Sequence, residues 1–137
     1  MESQLADYAV KRIDEMDAIY GGAFKRARAE LGIRSFGLQV LDLPPNADSY
    51  PEHDHGEDGQ EEVYVVLRGS GEVEIDGERH PLDVDTMVRV SSGTTRKLWT
   101  GDEGMRVLAI GGCPGNLYEA PEITQLGVPD PLAQAQS

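Results

Sequence analysis

The chain is short of three things: cysteine, basic residues and long apolar runs. Cys113 is the single cysteine in 137 residues, so no intrachain disulfide forms and a reducing compartment fits. Twelve Lys and Arg stand against 25 Asp and Glu, a formal net charge of −13, which argues against nucleic acid and anionic membrane as partners. The shortage is uneven. Lys11, Arg12, Lys25, Arg26, Arg28 and Arg34 crowd the first quarter, and no Lys or Arg occurs from Asp48 to Glu62. No apolar run reaches membrane-spanning length, and the opening MESQLADYAV lacks the charged-then-apolar layout of a secretory signal. A soluble, cytoplasmic protein is the expectation. The length and ordinary apolar content suit one domain, 1–137, with a core of its own.

What is present concentrates between Tyr50 and Gly71, YPEHDHGEDGQEEVYVVLRGSG. This stretch holds two of the three histidines, a patch of carboxylates and the longest apolar run, Val63 to Leu67. Side chains at i and i+2 of a strand share a face, so His53 and His55 converge if that piece is extended. Glu62, Tyr64 and Val66 share one face of the next run; Glu61, Val63, Val65 and Leu67 share the other. Two imidazoles and a carboxylate on facing strands are the elements of a divalent-metal site. Taken alone, the histidines read first as surface residues of an acidic loop.

Along the chain, Tyr8 to Ile13 alternates weakly, as an edge strand would. Ala23 to Leu31 has helical spacing, with Gly32 placed to end it and Arg26 four residues before Glu30. The basic residues there read as a solvated helix face. From Phe36 the signals are β: strands at Phe36–Leu43, Glu62–Arg68, Glu72–Ile75, Arg79–Leu82, Thr86–Val90, Arg96–Thr100 and Met105–Ile110. Gly69-Ser70-Gly71 and Gly101 to Gly104 read as turns, and Asp76-Gly77 is a strong hairpin signal. Such strands, with turns every eight to twelve residues, imply a sandwich or barrel. After Gly112 periodicity ends and prolines mark a tail, with LAQAQS expected to be disordered.

These residues resemble a cupin. The first cupin motif is His-x-His, a short spacer, Glu, six residues and Gly; here it is His53-Asp54-His55, Glu62 and Gly69, with a spacer of six (GEDGQE) against the usual three or four. The second is Gly, then Pro-x-Gly, two residues and His; here Gly77 starts it, Ser91-Ser92-Gly93 replaces Pro-x-Gly, and Arg96 stands in place of the His. The resemblance covers about Phe36 to Gly112. It implies an all-β double-stranded β-helix (jelly-roll) barrel at 36–112, an N-terminal extension with a short helix at 1–35, and a C-terminal tail at 113–137.

It further implies His53, His55 and Glu62 as ligands of a divalent ion (Fe, Mn, Ni or Zn), a 2-His-1-carboxylate set with open positions. Arg96 admits three readings: it replaces the metal and pairs with Glu62, it grips an anionic ligand beside a retained ion, or it points to solvent at the barrel mouth. Arg96 and Tyr64 are therefore candidate ligand-binding residues, with core packing the competing reading for Tyr64. Glu61 is an alternative to Glu62 with the opposite parity. Asp48, Glu52, Asp54, Glu57, Asp58 and Glu61 read as a solvated lip, His80 as exposed or in an interface, Trp99 as packed between layers or at a dimer interface, and Cys113 as inert. Three functions fit: a small metal-dependent enzyme of the dioxygenase, isomerase or decarboxylase kind, a metal-free cupin binding a small polar molecule, and a structural or partner-binding protein whose pocket is filled by side chains; a homodimer wrapped by its terminal segments is the expectation for all three.

Overall fold

The structure, a computed structural model of the chain, describes residues 7–47, 53, 55, 56 and 59–132. Its strands are β1 (Ala18–Ile19), β2 (Phe24–Lys25), β3 (Gly37–Leu43), β4 (Glu61–Ile75), β5 (Glu78–Leu82), β6 (Met87–Val90) and β7 (Arg96–Gly112), with one helix, α1 (Ala27–Leu31). All pair antiparallel in the order β1-β2-β3-β7-β4-β5, with β6 on the other edge of β4. No helix among the described residues is long and apolar enough to cross a membrane.

Two long strands create both layers. The first half of β4 lies between β6 and the second half of β7, which also carries β3; the second half of β4 lies between β5 and the first half of β7. Register shifts between Val66 and Arg68 and between Gly69 and Gly71 let one strand serve two layers. They also switch the buried parity: Tyr64 and Val66 are buried before the shift, and Val73 after it. All three belong to one core with Leu41, Leu82, Val90, Leu98, Met105, Val107 and Ala109. Burial of each large member stabilises the fold by about 1.5–3 kcal/mol.

Several expectations change here. The ladder does not close into the expected barrel ring, because its path ends at β1 and β5 among the described residues. β5 contains Pro81, which has no N–H to offer a further neighbour, and its residues are largely exposed. Gly69-Ser70-Gly71 is not a turn but the middle of β4, and Gly101 to Gly104 lies within β7. The glycines are there for close approach: a Cβ on Gly69 (φ +84°) would stand 2.2 Å from the Gly104 carbonyl oxygen, and one on Gly71 2.1 Å from that of Trp99. The hairpin at Asp76-Gly77 forms as expected, with both residues at positive φ (49° and 87°).

At the N-terminus, Tyr8 to Arg12 forms no strand, and Ile13–Glu15 is a 3₁₀ turn. The helix shrinks to five residues because Phe24 and Lys25 pair with Leu41 and Val40 of β3 instead. Gly32 caps it at φ +81°, its N–H reaching the carbonyls of Arg28 and Ala29. Arg26 is neither solvated nor paired with Glu30. It is 2% exposed and donates to Asp17 Oδ2 (2.8 Å) and to the carbonyls of Ile123 (2.9 Å) and Val128 (2.8 Å). Asp130 accepts from the Tyr20 N–H at 3.0 Å. The described parts of the two terminal segments thus pack against each other within one chain. The tail beyond Leu132, and the lip residues Asp48, Glu52, Asp54, Glu57 and Asp58, lie outside the described residues.

Candidate functional site

The site forms where the His-x-His segment meets the starts of β4 and β7. His53 makes a two-way backbone bridge with Arg96 (N to O 2.9 Å, and 2.8 Å in return), and the His55 N–H reaches the Ser92 carbonyl at 2.6 Å. That extended pairing turns both imidazoles to one side, their rings edge to face at 5.0 Å. From β4, Glu62 and Tyr64 project on the same face, as their i, i+2 spacing requires. Glu61 takes the other face and stands 3.8 Å from Arg89.

Glu62 Oε1 is the hub. The Tyr64 hydroxyl donates to it at 2.6 Å and Arg96 Nη1 at 3.0 Å; His55 Nε2 stands 3.2 Å away and His53 Nε2 3.8 Å. Arg96 Nη2 donates to the Ser91 carbonyl at 2.7 Å, which fixes the guanidinium against the loop before β7. Burial pushes the Glu62 carboxyl up, but hydrogen bonds from His53, His55 and Tyr64 outweigh it and hold the group well below the ordinary carboxylate range. Glu62 is therefore ionised at neutral pH despite its burial.

Donor atoms of His53, His55 and Glu62 all lie within 4.8 Å of one another. Two atoms each about 2.1 Å from one transition ion stand roughly 3–3.5 Å apart. Of the His–Glu separations, 3.2 Å lies within that range and 3.8 Å just above it, so the donor set fits such an ion with small side-chain shifts. The three residues also line a cavity of about 720 Å³. Arg96 and Tyr64 stand behind its wall: both are 0% exposed and touch Glu62. The reading of Arg96 as a solvent-facing residue is thereby overturned, since its partners Glu62 and Ser91 draw it inward.

Much of the cavity was invisible in the sequence. Phe24, Tyr118, Pro121, Ile123 and Thr124 line it from segments in which the sequence carried no strand signal. Gln60 is buried beside Gly111, where a Cβ would meet its Oε1 at 2.2 Å; its place in the motif spacer was the available signal. His80 is exposed and 3.3 Å from Glu78. Trp99 is half-buried and lies outside the core cluster. Its Nε1 donates to Glu74 at 3.0 Å, and Arg79 and Lys97 lie 4.0 and 4.3 Å from the ring centre.

Fold and donor set together define a class, and sequence comparison names it. Residues 39–111, just over half the chain, match the cupin domain family, and the chain belongs to it. A cupin protein from Bacteroides fragilis is similar over 91% of this chain and 99% of its own, at 21% identity and TM-score 0.66. A DMSP lyase from Ruegeria pomeroyi is 27% identical over 64% of this chain and 42% of its own, at TM-score 0.53. The cupin domain of an XRE family transcriptional regulator from Enterobacter cloacae is 25% identical over 61% of this chain and 86% of its own, at TM-score 0.52. Comparison with curated proteins gives no match.

Proposed function

We propose that this cupin holds a divalent transition ion (Fe, Mn, Ni or Zn) on His53, His55 and Glu62 and binds a small polar molecule in the adjoining cavity. The observation that carries the reading is the convergence of the three donors on the cavity wall, within 4.8 Å of one another. Bound there, the ion would act as a Lewis acid toward a ligand oxygen. The chain's own residues do the rest. Tyr64 and Arg96 hold the Glu62 carboxylate ionised and aimed. The two backbone bonds between His53 and Arg96 preset the imidazole that Glu62 faces. Arg96 and Tyr64, proposed from the sequence as ligand-binding residues, would act on a ligand through Glu62, because neither is exposed.

A second reading rests on the Arg96–Glu62 pair itself. Glu62 is negative, Arg96 positive and the histidines neutral when unprotonated, so the site is charge-balanced without an ion. A divalent ion about 5 Å from the guanidinium meets repulsion of roughly 7 kcal/mol at an effective dielectric of about 20. Glu62, between the two, offsets much of it. Calorimetric titration of Zn²⁺ and Mn²⁺ into chelator-treated protein separates the readings. The metal reading expects one ion per chain, lost in the His53→Ala, His55→Ala double variant; no uptake by the wild-type chain selects the metal-free pocket.

A further inference from the structure

The cavity wall has no fixed positive charge. Among the described residues that line it, the ionisable side chains comprise His53, His55, Glu62 and Tyr118, and none is Lys or Arg. The cations on the elements that build the wall are committed elsewhere: Arg96 to Glu62 and Ser91, Arg26 to Asp17, Ile123 and Val128, and Lys25 to Asp42 at 3.5 Å. The covalent flank of the two histidines supplies none either, since 48–62 is rich in Asp and Glu and holds no Lys or Arg, nor do residues 133–137. What faces the space is amide and hydroxyl (Gln39, Gln60, Tyr118, Thr124) beside apolar surface from Phe24 and Ile123.

Building on the metal reading, we propose that the ligand has one anionic oxygen end, for the metal, and an otherwise uncharged body, and that the site discriminates against a second anionic group. The ion would supply the single positive centre, at the Glu62 end. A second carboxylate entering the wall would lose its hydration and find amides and hydroxyls instead of a cation, in a chain whose neighbouring segment is acidic. An amide in the same place exchanges its water for Gln and Thr partners at little cost.

The test uses succinamate and succinate, which share a chain and differ only in whether the far end is amide or carboxylate. Each is titrated into the Co²⁺-loaded full-length protein, followed by the cobalt visible absorption. Half-saturation at least ten-fold lower for succinamate is expected; succinate binding as well or better, or no spectral change with either acid, overturns the proposal. Tyr118→Arg adds a cation to the wall and is expected to bring the two within about three-fold, with Gln60→Lys as the second variant should the first not fold. An unchanged gap in the folded variant counts against the charge rule. Failure of the wild-type chain to take up Co²⁺ would instead sink the metal reading. The charge rule is then read by thermal shift on the metal-free protein: stabilisation by succinamide and not succinate upholds it, and stabilisation by succinate, or by neither, overturns it.

Discussion

Arg96 and Glu62 set the chemistry of this pocket by holding each other. Removing the guanidinium as Arg96→Met leaves the buried, ionised Glu62 carboxylate without its cationic partner, a change that costs roughly 3–5 kcal/mol in the metal-free protein. The same change removes the nearest charge opposing a bound cation. The expected outcome is a lower melting temperature without metal, metal affinity raised at least ten-fold, and recovery of most of the lost stability on adding Zn²⁺. Thermal melts with and without the ion, beside a calorimetric titration, read all three. A second pair works between β3 and β7. Arg106 on β7 stands opposite Asp42 on β3 and donates from Nε (2.7 Å) and Nη2 (2.9 Å), with Asp14 closing on the same Nη2. The Arg106 hydrogen bonds hold the Asp42 carboxyl below its ordinary value against its partial burial. A carboxyl depressed in the folded state stabilises above its unfolded pKa and loses that contribution as pH falls through the folded one. Asp42→Asn should therefore cost roughly 1.5–3 kcal/mol at pH 7. Below about pH 4, the ordinary Asp range, its stability should converge on wild type, as melting temperatures across pH 2–7 would show.

At the scale of elements, residues 118–124 of the C-terminal segment contribute to the cavity wall, and Arg26 is what holds them. Its guanidinium ties Ile123 and Val128 to Asp17, and Asp130 ties the same segment to Tyr20. Arg26→Met strands two carbonyls in a buried setting, at roughly 1–3 kcal/mol each. Hydrogen exchange should then speed up across 117–130 while the β4–β7 amides keep their protection; uniform loss of protection would contradict this role. The long strands make a second prediction. Gly69→Ala drives a methyl into the Gly104 carbonyl at positive φ and should cost about 2–4 kcal/mol by denaturant melting. These two places also show where the sequence was readable. The unbroken apolar run Val63 to Leu67, and the Asp76-Gly77 turn, announced strands and hairpin because those signals are local. Gly69 and Gly71 looked like a turn because glycine demanded by a neighbouring backbone has the same signature as glycine demanded by a bend. Arg26 looked solvated because its partners lie about a hundred residues away in sequence.

For the molecule as a whole, the motif spacing carried the donor set. His53, His55 and Glu62 meet as their parity requires, even though the spacer between them is longer than usual for a cupin. The far wall of the cavity left no such trace, because Tyr118, Pro121 and Thr124 belong to an aperiodic stretch whose position depends on the whole fold. The proposed site stands or falls on the three donors sharing one ion with Arg96 beside them. Elemental analysis of freshly purified, untagged protein tests it most directly, run next to the His53→Ala, His55→Ala double variant. About one divalent transition ion per wild-type chain is expected, and almost none in the variant. Wild-type protein free of metal, or a variant that keeps it, would contradict the claim.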